Sequence, residues 1–142
     1  MTLRLVDHND LMAIRTLLVR HDLPVADISE KDVTLYAGII DTKLCATVGY
    51  EQHEETFLLR SLCVESSLQG RGIGKTLVKH IEEEALKKGI RTLYLLTNSA
   101  KEYFTRLGFV QVARNDTPEA IQHTREFSSL CPSMAVIMRK SL

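Results

Sequence analysis

Residues Leu59 to Val78 read L-R-S-L-C-V-E-S-S-L-Q-G-R-G-I-G-K-T-L-V, and their reading decides the fold. Leu58, Leu59, Leu62 and Val64, with Cys63 between the last two, form an apolar run of strand length. Gln69-Gly70-Arg71-Gly72-Ile73-Gly74 then turns into an amphipathic helix. Glycines at such a corner accept backbone angles that other residues resist, and they let a ligand approach the main chain. The N–H groups opening the helix lack intrahelical partners and lie at the positive end of its dipole, so the corner predicts an anion site. Arg71 and Lys75 add formal positive charge there.

Two phosphate-binding glycine motifs do not fit this corner. The P-loop needs G-x-x-x-x-G-K-S/T, and the run from Gly70 is one residue short between its outer glycines. The dinucleotide fingerprint G-x-G-x-x-G needs a glycine where Lys75 stands. The run instead resembles the Gln/Arg-x-x-Gly-x-Gly/Ala signature of the GCN5-related N-acetyltransferase (GNAT) superfamily, filled by Gln69, Gly72 and Gly74. The strand before it, the helix after it and the downstream segment Ala100 to Phe109 (A-K-E-Y-F-T-R-L-G-F) strengthen the resemblance.

Composition sets the frame. A chain of 142 residues, 44% apolar, predicts a single globular domain, 1–142. Lys plus Arg and Asp plus Glu number 18 each, so no global field recruits nucleic acid or an anionic membrane. No apolar run reaches transmembrane length and the start lacks a signal-peptide core, so a cytoplasmic location is expected. Cys45, Cys63 and Cys131, odd in number and scattered, predict reduced and mostly buried thiols. The five histidines have no metal-ligand spacing, and no metal is expected.

Thr2 to Val6 alternates as a half-buried strand, and Asp7 or Asn9 can cap a helix whose face is Leu11, Ile14, Leu17 and Leu18. Pro24 ends that helix, and Val25 to Asp32 is a polar connection. Strands are predicted over Val33–Ile40, Lys43–Glu51 and Thr56–Val64, with Asp41-Thr42 and Gln52 to Glu55 as turns. A helix over Gly72–Lys88 presents Ile73, Leu77, Ile81 and Ala85, with Gly89 just past its end. A strand over Ile90–Thr97, a short helix through Leu107 and a strand over Phe109–Ala113 follow. Pro118 is placed at the first position of a helix reaching Leu130, and Ala135–Met138 closes the sheet. The fold class is mixed α/β around one sheet.

The resemblance implies the GNAT fold over the whole chain: a mostly antiparallel sheet with a central splay, flanked by helices. It implies acetyl-CoA as co-substrate, lying in that splay. The pantetheine arm would pair with main-chain groups of Leu62, Cys63 and Val64, and the pyrophosphate would sit on the amides of Gln69, Gly70, Arg71, Gly72, Ile73, Gly74, Lys75 and Thr76. Thr97 or Asn98 could bond the pantetheine, or cap the next helix, and Phe104 is expected among the coenzyme-binding residues. The connection Val25 to Asp32 would cover the acceptor side. Gly49-Tyr50-Glu51, Leu58 to Leu62, Leu95-Leu96-Thr97 and the tail from Thr124 resemble small bacterial arsenic-resistance N-acetyltransferases, which look like the acetyltransferase module of N-acetylglutamate synthases. This implies a small amino-acid-like amine as acceptor.

Acetyl transfer from a thioester needs a neutral amine, a stabilised oxyanion and a route for the leaving thiolate. Glu51 is the candidate base, with a solvated strand-end carboxylate as the plain alternative. Arg60, a charge inside an apolar strand, suits bidentate capture of a substrate carboxylate; its alternative is a structural pair with Glu51 or Glu65. Strict alternation would put Arg60, Leu62 and Val64 on one face and Ser61 and Cys63 on the other. Arg125 and Glu126 could line the acceptor pocket, or be exposed helix residues. Many relatives carry tyrosine where this chain has Phe104, so thiolate protonation falls to solvent or to Tyr103. A protein N-acetyltransferase and a non-catalytic acyl-CoA sensor are the competing readings. A homodimer is possible through a free sheet edge at Phe109–Ala113 or Ala135–Met138.

Overall fold

The computed structural model describes residues 1–125, 127 and 135–142. Among the described residues seven strands form one sheet: β1 (Thr2–Leu5), β2 (Thr34–Ile40), β3 (Lys43–His53), β4 (Thr56–Val64), β5 (Thr92–Thr97), β6 (Val110–Val112) and β7 (Val136–Ser141). Helices α1 (Leu11–Arg20), α2 (Ile73–Lys87), α3 (Lys101–Arg106) and α4 (Glu119–Gln122) flank it. The sheet order is β1-β2-β3-β4-β5-β7-β6. All pairs are antiparallel except β4 with β5. This is the mixed α/β, mostly antiparallel architecture expected.

Alternation along the strands separates two faces. Leu93, Leu95 and Met138 join the core under α2 and α3, with Phe104, Phe109, Leu77, Val78, Ile81 and Ala85. Tyr94 and Ile137 point the other way, against Ile121 and Phe127. On that second face α1 buries Ile14, Leu17 and Leu18 against Leu35 and Cys63. The helical faces fell where the 3.6-residue period put them. Asp7 rather than Asn9 acts as a cap, but of the short 3₁₀ turn His8–Asp10 that leads into α1: its side chain accepts the Asn9 N–H at 2.9 Å, and the Asp10 carboxylate accepts the Asp7 N–H at 2.9 Å, while α1 itself has no side-chain cap. Gly89, with φ +75°, follows the C-cap of α2.

Several expectations need correction. β3 runs on to His53, so the second hairpin turns at Glu54-Glu55 rather than over 52–55; Glu54 takes φ +57°. β7 lies between β5 and β6, so the Ala135–Met138 stretch that enters it offers no free edge; β6 is the edge strand on that side and β1 on the other. Pro118 is the N-cap of α4, not its first helical residue. Of the helix expected to Leu130, α4 covers Glu119–Gln122, the chain turns at His123 and Thr124, helical geometry resumes at Arg125, and positions 126 and 128–130 lie outside the described residues. At that turn the Thr124 hydroxyl donates to Ile121 O at 2.8 Å and accepts from the Phe127 N–H at 3.2 Å, the pattern of a cap on the segment that follows. Positions 126 and 128–134, including Glu126 and Cys131, lie outside the described residues.

The sheet opens at its centre. β4 and β5 pair only at Phe57↔Leu93 and Leu58↔Tyr94. Beyond Leu58 the two strands part.

Candidate functional site

The gap between β4 and β5 is a cleft of about 1490 Å³. That exceeds the 300–1,000 Å³ common for drug-sized ligands and suits a long one. One wall is β4 from Leu59 to Val64, the other the end of β5 and α3, and the floor is the start of α2. His21 to Pro24, after α1, closes one side.

The turn into α2 takes the backbone angles that its glycines predict. Gly70 and Gly72 take φ +82° and +79°, the left-handed region that L side chains resist. Gly72 is the N-cap of α2, and the first helical bond runs from Thr76 N–H to Gly72 O at 3.1 Å. The amides of Ile73, Gly74 and Lys75 therefore precede the ladder, beside the exposed Lys75 ammonium. Gln69 ties this turn to the strand: its side-chain amide donates to Val64 O at 3.0 Å. A Cβ on Gly74 would overlap the Tyr103 hydroxyl where it now lies, so a larger residue here would have to displace that ring.

Of the residues expected to bind coenzyme, Leu62, Cys63, Val64, Gln69, Gly70, Gly72, Ile73, Gly74, Lys75, Asn98 and Phe104 line the cleft. Arg71 and Thr76 lie at the same turn but outside the lining, and the Thr76 hydroxyl turns back to Gly72 O at 3.1 Å. Thr97 lines the cleft, yet its hydroxyl accepts the Ala100 N–H at 2.9 Å ahead of α3. Phe104 is buried edge-to-face against Phe109. Tyr103 beside it reaches across the cleft to the first turn of α2. Burial raises the Tyr103 pKa, the Arg106 charge offsetting part of that, so the hydroxyl stays protonated at neutral pH.

Strand β4 is not a regular strand. Ser61 has φ +56°, and the register with β3 slips between Gly49↔Arg60 and Thr47↔Cys63. Two residues, Ser61 and Leu62, oppose Val48 alone, which is a β-bulge. The bulge shifts the side-chain phase by one residue. Phe57 and Leu59 face α2 before it, and Leu62 and Val64 face α2 after it. Arg60 therefore lies on the face of Cys63 and α1, opposite Leu62 and Val64, and the strict alternation expected from the sequence is corrected.

On that face Arg60 is the hub of a buried charged cluster. Its side chain has no exposure, against 3% for Asp27 and 8% for Glu51. Nη1 and Nη2 donate to the two Asp27 oxygens at 2.7 and 2.6 Å, a bidentate pair. Nη1 also donates to Glu51 Oε2 at 2.6 Å, and Nε donates to Ser61 Oγ at 3.2 Å. The other Glu51 oxygen is 2.8 Å from His53 Nε2, which is therefore the donating nitrogen when Glu51 is ionised. Burial pushes the Asp27 carboxyl up, but the Arg60 hydrogen bonds and charge together hold it below the ordinary carboxylate value. The guanidinium is thus committed to protein carboxylates, Glu51 among them, rather than open to a substrate carboxylate.

Glu51 is not a solvated strand end; it is buried, and it does not line the large cleft. Arg125 lies outside the cleft too, half exposed and ion-paired with Glu30 of the connection between α1 and β2. Asp27, Ser61 and His53 were not among the residues picked from the sequence. His53 carried a signal, since positions two apart on a strand share a face with Glu51. Cys63 is inert: burial pushes its thiol up to about 11, and Sγ rests 3.8 Å from Leu17 O. Cys45 is likewise buried and free. Among the described residues no group of His, Cys, Asp and Glu could hold a metal, and no helix is long and apolar enough to cross a membrane.

The acetyltransferase (GNAT) domain model matches residues 31–111, more than half of the chain, and the chain belongs to that family. An amino-acid acetyltransferase of Ralstonia nicotianae is 33% identical over 93 residues, which cover 66% of this chain and 20% of that protein. N-acetylglutamate synthase from Neisseria gonorrhoeae, solved with coenzyme A and N-acetyl-glutamate, superposes with a TM-score of 0.81 at 18% identity, covering 99% of this chain and 35% of its own. A GNAT-family acetyltransferase from Staphylococcus aureus Mu50 gives 0.81 at 16% identity, covering 99% and 98%. The chain thus spans a fraction of the length of the first two proteins and nearly the full length of the third.

Proposed function

We propose that this chain transfers acetyl from acetyl-CoA to the primary amine of a small amino-acid-like acceptor. One observation carries the proposal. The β4–β5 ladder stops after Leu58, and the cleft so opened ends on the glycine-rich start of α2. An extended thioester arm needs an unpaired strand edge, and its phosphates need a cluster of free amides. Both lie along one cleft. The Ralstonia relative's name and the N-acetyl-glutamate in the Neisseria complex support an amino acid as acceptor.

In this reading the main chain of Leu62 to Val64 takes the pantetheine arm, and the amides at Ile73 to Lys75 take the pyrophosphate. Asn98 and Phe104 line the arm's other side. Glu51 is the acid–base group, with His53 as its partner toward solvent: His53 is 24% exposed and sits on the carboxylate. Arg125, which ion-pairs with Glu30 of the connection that carries Asp27, is the cation assigned to the acceptor side, while Arg60 supports Glu51 from behind. Tyr103 is turned to Gly74, so solvent protonates the leaving thiolate. Residues 1–142 act as one catalytic domain, in the cytoplasm, with the β6 edge as the surface for any homodimer. Resistance to arsenicals or other toxic amino-acid analogues is one setting for such chemistry.

Release of coenzyme A thiol from acetyl-CoA tests this across amino acids, their phosphorus and arsenic analogues, polyamines and short peptides. Turnover on a free amino acid or analogue is expected. Turnover on peptides alone would move the assignment to protein acetylation, and binding without release on any amine would make the chain a sensor.

A further inference from the structure

A buried ion pair is weak evidence for stability, because apolar residues of the same volume often serve as well. The cluster of Asp27, Glu51 and Arg60 therefore invites the question of what it specifies. Its members come from three separate places: the connection between α1 and β2, the end of β3, and β4 one residue before the bulge. The bulge residue Ser61 holds a left-handed backbone, unusual for a residue with a Cβ. Arg60 is the side chain that grips it, through Nε to Ser61 Oγ. A planar guanidinium held by two carboxylates cannot rotate, so its Nε–H direction is fixed. Past Leu58 the same stretch has no β5 partner to hold it in place.

We infer that Asp27, Glu51 and Arg60 form a latch that fixes the Ser61 bulge and so aims the main chain of residues 61–63 into the cleft. The inference rests on the reading of that cleft as the coenzyme site. Asp27 and Arg60 are then positioning residues: they act on the coenzyme through Ser61. The latch also fastens the connection carrying His21 to Pro24, which forms a wall of the same cleft.

Removing Arg60 alone would strand two carboxylates and could unfold the chain, so the test uses a neutral set, Asp27→Asn, Glu51→Gln and Arg60→Met together. Calorimetric titration with coenzyme A should show binding about tenfold weaker than in the unchanged protein, the range expected when a strained backbone loses its support. Adding Ser61→Gly should restore most of the affinity, because glycine holds the left-handed angle without a latch. A merely structural cluster would give no such rescue. The inference is overturned if the neutral variant binds coenzyme A like the unchanged protein, or if Ser61→Gly restores nothing to a variant that still melts cooperatively. Hydrogen exchange without ligand separates the latch from the site. Faster exchange at the 61–63 amides in the neutral variant supports the latch whatever the cleft binds, and unchanged exchange contradicts it. Failure of the unchanged protein to bind coenzyme A would overturn the cleft assignment itself.

Discussion

The two sides of strand β4 are built on opposite principles. On the cleft side the determinants are main-chain groups: an unpaired strand edge and the amides before the α2 ladder, organised by Gly70 and Gly72. On the α1 side they are side chains: Asp27, Glu51 and Arg60, buried and bonded to one another, with His53 at the rim. Main-chain sites tolerate varied side chains and need backbone angles. Side-chain clusters need each partner present. The two sides should therefore fail differently when altered.

Arg60→Ala should break the second kind most severely. It leaves Asp27 and Glu51 without their cation in a buried site, a loss of about 3–5 kcal/mol. For a chain of this size the melting temperature should fall by roughly 10 °C. A thermal melt within a few degrees of the unchanged protein would show that the cluster is solvated in solution.

Glu51→Gln should separate chemistry from binding. The carboxamide can still accept from Arg60, so coenzyme A affinity should change little, while kcat should fall by about 10²-fold or more if Glu51 moves the proton. An unchanged rate and pH profile would remove Glu51 from the chemistry. Gly72→Ala probes the other side. A Cβ at φ +79° costs about 1–2 kcal/mol of backbone strain, and relief of it would reshape the anion corner. Coenzyme A affinity should fall about tenfold with the pH dependence of turnover unaltered.

Acid should distinguish the sides as well. Asp27 has a folded pKa below its unfolded value, so its contribution is present above the ordinary carboxylate range and is lost as pH falls through the lowered pKa. Asp10, hydrogen-bonded to Arg4 and held at about 2, behaves in the same sense. Asp27→Asn should flatten the decline in stability below about pH 4, read by denaturant melts between pH 5 and 2. The smallest effect belongs to the thiol. At pH 8 Cys63 should resist alkylation in the folded state and react on unfolding, since its thiol is buried and raised to about 11.

The same contrast governs how much the sequence disclosed. The glycine corner was legible because strand, turn and helix start are consecutive residues, and glycine's backbone freedom is a local property. The helix faces were legible for the same reason. The α1 side was not. Asp27 stands 33 residues before Arg60 and looks like any acid in a polar connection. Ser61 gives no sign that it takes a left-handed angle, so period-two counting carried Arg60 to the wrong face. Nor does chain order disclose that β7 inserts between β5 and β6, because that depends on long-range pairing.

The central claim is that the opening beyond Leu58 is the coenzyme site. Hydrogen exchange of each amide with and without coenzyme A tests it most directly. The account predicts new protection at two places, residues 62–64 on the strand edge and 73–75 at the start of α2, with little change on the edge strands β1 and β6. Protection that spares both places, or none at saturating coenzyme A, would contradict it.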